Sequence, residues 1–286
     1  MKLLLFAGVL ALLLLSGLWA AQRTLIYFPS RTVLSRAQAG VPDAERVAIT
    51  TEDGVHLSGW FAPAAGADRH LAVLYCHGNG GNVAGRAHLL RELPALGLSV
   101  LLFDWRGYGE SDDIQPTEQG LYADGRAALA WLESRTGLSP AHIVLYGESL
   151  GTGVAVELAV ELAEARDEAG DEATSAAVPA PHALILQSPF TSLPDAAAVH
   201  YPWLPVSLLL RDRYDSAAKI GRVRAPVLVL HGARDGTVPV AQGRALVAAA
   251  GGPHSFIELP HAGHNDIWSH PAARCAELAA FLDGLR

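Results

Sequence analysis

Short apolar runs alternate with longer helical stretches along most of the chain. Residues 70–76 (HLAVLYC), 98–104 (LSVLLFD), 142–146 (HIVLY), 183–187 (ALILQ) and 226–230 (PVLVL) are apolar almost without interruption, and residues 255–259 (SFIEL) form a sixth such segment. Continuous rather than alternating apolar runs are expected of strands buried on both faces of a parallel sheet. Residues 117–135, 151–166, 240–250 and 272–285 carry the 3.6-residue pattern of connecting helices. Residues 47–60 hold two alternating segments around Glu52-Asp53-Gly54, the pattern of an antiparallel hairpin at the leading edge. The expected architecture is α/β: one doubly wound, mostly parallel sheet over residues 45–286. No period of 20–50 residues repeats, which argues against a solenoid.

Two stretches break this rhythm. Residues 164–181 (EARDEAGDEATSAAVPAP) are acidic, then small, then proline-containing, and read as an exposed surface insertion after a helix. Residues 190–220 carry His200, Tyr201, Trp203, Leu204 and Leu208 between two strands. A short apolar cap over a substrate pocket and an ordinary crossover helix with a long lead-in both fit this segment.

The start of the chain is different again. Residues 3–21 (LLLFAGVLALLLLSGLWAA) contain no charge, with Lys2 before and Arg23 after. As a helix the run would reach roughly 28 Å, close to a bilayer's hydrocarbon thickness of about 30 Å. We therefore expect an N-terminal transmembrane helix or signal anchor at residues 1–22 and a linker at 23–44. A cleaved signal peptide is the competing reading; it usually has a shorter apolar region and small residues before the cleavage site, where this chain has Leu18 and Trp19. Orientation is balanced. Lys2 and the amino terminus lie on one side, and Arg23, Arg31 and Arg36 on the other, which favours a cytoplasmic domain. The signal-like position of the run favours export, and receives the slight preference.

Composition narrows the function. The 286 residues carry 21 Lys+Arg against 29 Asp+Glu, a formal charge of −8, so a nucleic-acid footprint is not expected. Half the residues are hydrophobic, enough to bury a core. Two cysteines cannot build a disulfide scaffold or a four-thiolate zinc site.

The chemistry centres on residues 147–151 (GESLG), which fit G-x-S-x-G. The match gains weight from its setting between an apolar strand and a helical stretch. There Ser149 would sit on a strained strand-to-helix turn, its hydroxyl at a helix N-terminus. A serine hydroxyl is a weak nucleophile and needs a base held by an acid. The order serine, acid, histidine, with the last two in loops after later strands, is met by Asp235 in 231–236 (HGARDG) and His264 in 260–266 (PHAGHND). His261 is the alternative base, and Asp235 alone fits a turn cap equally well. The oxyanion donors are expected to be the backbone N–H groups of Leu150 and of Asn79, the latter in the glycine-rich turn 77–82 (HGNGGN). That turn lacks the Gly-Lys-Ser/Thr ending of a nucleotide P-loop. His77 reads as a hydrogen-bonded structural residue. No metal site or cofactor is expected, since HExxH and CxxC spacings are absent.

These pieces resemble the α/β-hydrolase superfamily and, more narrowly, the membrane-anchored Bem46-like serine hydrolases, related to the α/β-hydrolase-domain 13 and 17 groups. The matching segments are 25–30 (LIYFPS), 77–82 (HGNGGN), 104–111 (DWRGYGES), 147–153 (GESLGTG), 188–193 (SPFTSL), 231–239 (HGARDGTVP) and 263–266 (GHND). The resemblance implies Ser149 as nucleophile, Asp235 as acid and His264 as base, with Asp104 and Arg106 as structural supports. The implied activity is hydrolysis of a carboxylic ester or thioester through an acyl-serine, on a small-molecule, lipid-derived or acylated substrate. A peptidase or acyltransferase with the same triad, or a non-catalytic membrane-tethered scaffold, are the alternatives.

Overall fold

The computed structural model describes residues 2–168 and 180–285, without the side chains of eight residues between 3 and 15 and of residues 166–168. Among the described residues, eight strands form one sheet in the order β1-β2-β4-β3-β5-β6-β7-β8. They are β1 (Glu45–Thr50), β2 (His56–Ala62), β3 (Leu71–Cys76), β4 (Leu98–Phe103), β5 (Ile143–Glu148), β6 (Ala183–Gln187), β7 (Val227–Gly232) and β8 (His254–Leu259). The first two strands form the expected antiparallel hairpin, with Thr50 opposite His56, and β2 pairs antiparallel to β4. All later pairings are parallel.

The apolar runs are explained by this topology. Along the central strands, Leu74, Leu101, Leu145 and Leu184 enter the core on one face of the sheet. Val73, Val100, Val144 and Ile185 enter the core on the other. Both faces of these central strands are dry, so a polar residue there needs a partner.

The connecting helices are α2 (Leu89–Ala95), α3 (Glu118–Thr136), α4 (Leu150–Glu168), α5 (Leu193–His200), α6 (Val206–Leu209), α7 (Ser216–Lys219), α8 (Val240–Ala248) and α9 (Pro271–Asp283), after the N-terminal α1 (Lys2–Ile26). Helix α3 starts at Thr117, whose hydroxyl accepts from the Gly120 N–H, and ends at Gly137 in the left-handed region. Helix α2 is absent from the sequence expectations. Seven residues around Pro94 are too short for a helical period, and the proline reads as a breaker. Strand β5 runs two residues further than its apolar run because Gly147 and Glu148 still pair with β6.

The acidic stretch 164–181 needs a partial correction. Helix α4 continues to Glu168, so its first residues are helical. Residues 169–179 lie outside the described residues. Residues 190–220 resolve into α5, α6 and α7, three short helices rather than one crossover helix.

Helix α1 covers the uncharged run and continues five residues past it. Leu5, Phe6, Val9, Leu10 and Leu13 are exposed along it. Among the described residues, no helix is long and apolar enough to cross a membrane. The expected membrane-spanning helix is thus not supported by the described structure. What the structure does describe is the polar end of α1, which is fastened to the domain. Gln22 is buried, and Arg23 pairs with Asp212 at 2.9 Å. Residues 26–30 run on directly over the sheet's loop edge: Tyr27 joins the core, and Pro29 bridges to Gly81.

Candidate active site

Ser149 sits between the end of β5 and the start of α4 with φ +48°, a left-handed conformation that costs a non-glycine residue about 1–3 kcal/mol. Its backbone is pinned on both sides. The Ser149 N–H donates to the Gln187 carbonyl at 2.8 Å, and its carbonyl accepts from the Thr152 N–H and hydroxyl at 2.9 and 2.6 Å. The glycines of the motif have a steric reason. A Cβ on Gly147 would stand 2.5 Å from Thr152 Cα, and one on Gly151 would stand 2.0 Å from the Cys76 carbonyl oxygen. Strand and helix approach this closely only without side chains at those positions.

The residues nominated from the sequence meet at this turn. His264 Nε2 lies 2.9 Å from Ser149 Oγ, and His264 Nδ1 lies 2.7 Å from Asp235 Oδ2. Asp235 follows β7 and is held in place by its own backbone. Its Oδ1 accepts from the N–H groups of Thr237 and Val238 at 2.9 and 2.8 Å. His231 Nε2, fully buried, stands 3.3 Å from Asp235 Oδ2 and 2.9 Å from the Val238 carbonyl. Burial works against the charged carboxylate, but the bonds from His231 and His264 outweigh it and hold Asp235 well below the usual carboxylate range. It therefore remains an anion at neutral pH, with an imidazole N–H aimed at it. His261 points elsewhere: its Nδ1 lies 3.3 Å from the Arg234 guanidinium, in an exposed position.

Leu150 is the first residue of α4, so its N–H belongs to the first turn, whose donors have no partner within the helix. The turn 77–82 after β3 faces it across the strand ends. Gly78 lies so close to the motif that a Cβ there would stand 2.8 Å from Glu148 Oε1. Gly80 and Gly81 have φ of +83° and +73°. The carboxamide of Asn79 does not point at Ser149. Its Oδ1 accepts from the Phe28 N–H at 3.0 Å and the Tyr108 hydroxyl at 2.7 Å, and its Nδ2 donates to the Ile26 carbonyl. Any oxyanion role for Asn79 is therefore left to its backbone.

The sequence reading missed a buried ion pair beneath this turn. Glu148 accepts from Arg86 through two bonds, Nε to Oε2 at 3.0 Å and Nη2 to Oε1 at 2.8 Å, and from the Tyr75 hydroxyl at 2.9 Å. Arg86 also donates to the Gly80 carbonyl at 2.8 Å. Burial alone would raise the Glu148 pKa, but Arg86 and Tyr75 bring it down to about 2. One signal was available: a carboxylate at the end of an apolar strand requires a cation. Its partner could not be named, because Arg86 lies in a short 3₁₀ turn, Val83–Arg86, with no pattern of its own.

His77, Asp104 and Arg106 bond to residues other than Ser149. His77 is buried against Trp105 and Tyr108, with Nδ1 2.7 Å from the Gly78 carbonyl. Burial lowers its pKa to about 3, so it is neutral. Asp104 accepts from the Val83 N–H at 2.8 Å, and burial raises its pKa to about 7. Arg106 is tied to Asp124 and Asp53 at 2.7 Å each, away from Ser149. Among the described residues, no group of three or more His, Cys, Asp or Glu is placed to hold a metal ion.

The alpha/beta hydrolase fold family matches residues 72–185, from β3 through the serine turn to β6. The uncharacterized protein Rv2307c of Mycobacterium tuberculosis is 45% identical over 249 residues, 87% of this chain and 82% of that protein. The alpha/beta hydrolase domain-containing protein WAV2 of Arabidopsis thaliana is 30% identical, over 87% of this chain and 83% of its own length. The lysophosphatidylserine lipase ABHD12 of Danio rerio is 31% identical over 69% of this chain and 56% of its own. The Pyrococcus furiosus esterase Pf2001 shares the fold, with a TM-score of 0.65 at 22% identity over 90% of this chain and 97% of its own. With its sheet order, its serine turn and these relatives, the chain belongs to the alpha/beta hydrolase superfamily.

Proposed function

We propose that the protein is a serine hydrolase that cleaves carboxylic esters or thioesters through an acyl-enzyme. One observation carries this reading: the hydrogen-bonded chain from Asp235 through His264 to Ser149, at 2.7 and 2.9 Å. His264 Nε2 takes the Ser149 proton as Oγ attacks the acyl carbon, and Asp235 holds the imidazole and stabilises its cation. The N–H groups of Leu150 and Asn79 bind the tetrahedral oxyanion. His264 then gives the proton to the leaving alcohol or thiol, and water, activated by the same imidazole, releases the acid. The protein needs no metal or cofactor for these steps.

The names of two relatives, an esterase and a lysophosphatidylserine lipase, support an ester as substrate and a lipid-derived acyl group in particular. The uncharged run at residues 3–21 supports a location at a membrane, as an N-terminal anchor with the catalytic domain on the exported side. Mass spectrometry of the native amino terminus, with carbonate extraction of membranes, tests that location. A chain that starts near residue 20, or that is released by carbonate, removes the anchor.

A fluorophosphonate probe tests the chemistry. Full-length wild type labels and Ser149→Ala does not; equal labelling of both variants, or none of the folded wild type, overturns the reading. An acyl-chain series of p-nitrophenyl esters, run beside lysophospholipid and acyl-thioester panels, then ranks the substrate class.

A further inference from the structure

The Asn79 carboxamide bonds through both its oxygen and its nitrogen to residues that precede the first strand, and its oxygen also accepts from the Tyr108 hydroxyl. Its Oδ1 and Nδ2 read the Phe28 N–H and the Ile26 carbonyl as a neighbouring strand would read them. The contact is extended on the same loop. The Ser30 N–H donates to the Gly81 carbonyl at 3.2 Å, and Asn82 Nδ2 donates to the carbonyls of Ser30 and Thr32 at 3.1 and 2.8 Å. The Gly109 N–H donates to the Ser30 carbonyl at 3.0 Å, which ties in the neighbouring loop.

The other end of the same segment is fixed to residues 209–214. Arg23 grips Asp212 through two bonds of 2.9 Å, and Asp212 is almost wholly buried. Tyr27 bonds Asp212 at 3.1 Å and Tyr214 at 2.8 Å. Gln22 donates to the Leu209 carbonyl and accepts from the Arg211 N–H. Each group in this set is charge-assisted or buried, so the segment has one well-determined position.

We propose that residues 22–30 are a strap that positions the oxyanion loop, with the Asn79 carboxamide as the positioning residue and Arg23 and Tyr27 as its fastening to Asp212 and Tyr214. This rests on the acyl-enzyme reading above, which places the Asn79 N–H on the oxyanion. The loop it holds carries glycines at two left-handed positions and has little stiffness of its own. Its geometry is supplied from outside: from below by Arg86 on the Gly80 carbonyl, and from above by the strap. Docking of α1 and the competence of the site are thereby coupled. A displacement of α1 that pulls residues 26–28 off Asn79 loosens the donor on which the transition state depends.

The test uses the full chain in three forms: wild type, Asn79→Ala, and Arg23→Gln with Tyr27→Phe. Two readouts are taken. In steady-state hydrolysis of a p-nitrophenyl ester, Asn79→Ala lowers kcat about 10- to 100-fold with KM within about threefold, the size expected when one oxyanion donor is misplaced. The strap double variant lowers kcat in the same sense, and combining it with Asn79→Ala adds little, since all three act through one contact. In hydrogen exchange, the amides of residues 78–82 exchange faster in the strap double variant than in wild type. Unchanged kcat in the folded strap variant, or effects that multiply independently, overturns the proposal, as does unchanged exchange at residues 78–82. The exchange readout holds even where Asn79→Ala does not fold or the wild type turns over no ester. Failure of the wild type to label with fluorophosphonate would instead remove the acyl-enzyme reading and leave the exchange result to judge the strap.

Discussion

Glu148 immediately precedes Ser149, and its carboxylate is held by Arg86 through two bonds of 3.0 and 2.8 Å. The same Arg86 holds the Gly80 carbonyl in the loop opposite. One buried ion pair therefore joins the serine turn to the turn that faces it. Both side chains are 15% exposed, so neither can recover its lost hydration if the other is removed.

Removing one partner should be costly. Glu148→Gln and Arg86→Met are each expected to lose about 3–5 kcal/mol of stability, because each strands a buried charge or dipole. The double variant Arg86→Met/Glu148→Leu should recover a good part of the loss. Chemical denaturation of the four proteins measures this; single variants within 1 kcal/mol of wild type would show the pair to be dispensable.

The pair also makes a prediction about acid. The folded-state pKa of Glu148, about 2, lies below its ordinary value of 4.5. A lowered carboxylate contributes stability above its unfolded pKa and loses it as pH falls towards the folded one. The stability gap between wild type and Glu148→Gln should therefore be full at pH 6 and shrink below about pH 4.5. Denaturation curves taken from pH 6 to pH 3 check the slope, and a constant gap refutes it.

The two histidines of 260–266 should separate by activity. His264→Ala is expected to lose about 10³-fold or more in kcat, since it removes the base. His261→Ala should stay within about threefold, because that ring faces Arg234 and not Ser149. Rates on one p-nitrophenyl ester, compared after both variants are shown to be folded, settle the matter.

Asp235→Asn should keep the fold and lose the chemistry. An amide in place of the carboxylate favours the wrong imidazole tautomer, and a loss on the order of 10³–10⁴-fold in kcat is expected with little change in KM. A burst experiment separates acylation from release; a variant that acylates at the wild-type rate would contradict the orienting role.

Two glycines make a steric contrast. A Cβ at Gly151 collides with the Cys76 carbonyl at 2.0 Å, whereas one at Gly137 meets nothing within 4 Å and pays only for φ +70°. Gly151→Ala should destabilise by more than about 3 kcal/mol, above the usual range for overpacking, because backbone cannot yield. Gly137→Ala should cost about 1–2 kcal/mol. Thermal unfolding of both variants provides the comparison.

The local pattern determined a great deal. Runs such as 183–186 and 100–103 are apolar at every position because both faces of the sheet are covered there, and that property is local to each strand. Ser149, Asp235 and His264 were legible because strand ends and loop order are one-dimensional features. Other relationships depend on what the fold brings together. Arg86 meets Glu148 across 62 residues, and Asn79 meets Phe28 across 51. Arg23 meets Asp212 across 189. No periodicity encodes these distances, since the partners lie at element ends and in loops and meet only once the sheet has closed. His264 rather than His261 reaches Ser149 for the same reason: both follow β8 within seven residues, and only the folded loop decides which ring turns inward. The apolar run at residues 3–21 determined that a helix would form there. Only the tertiary structure showed that its end is tied to Asp212 and to the loop that carries Asn79, because contacts between residues far apart in sequence leave no local pattern.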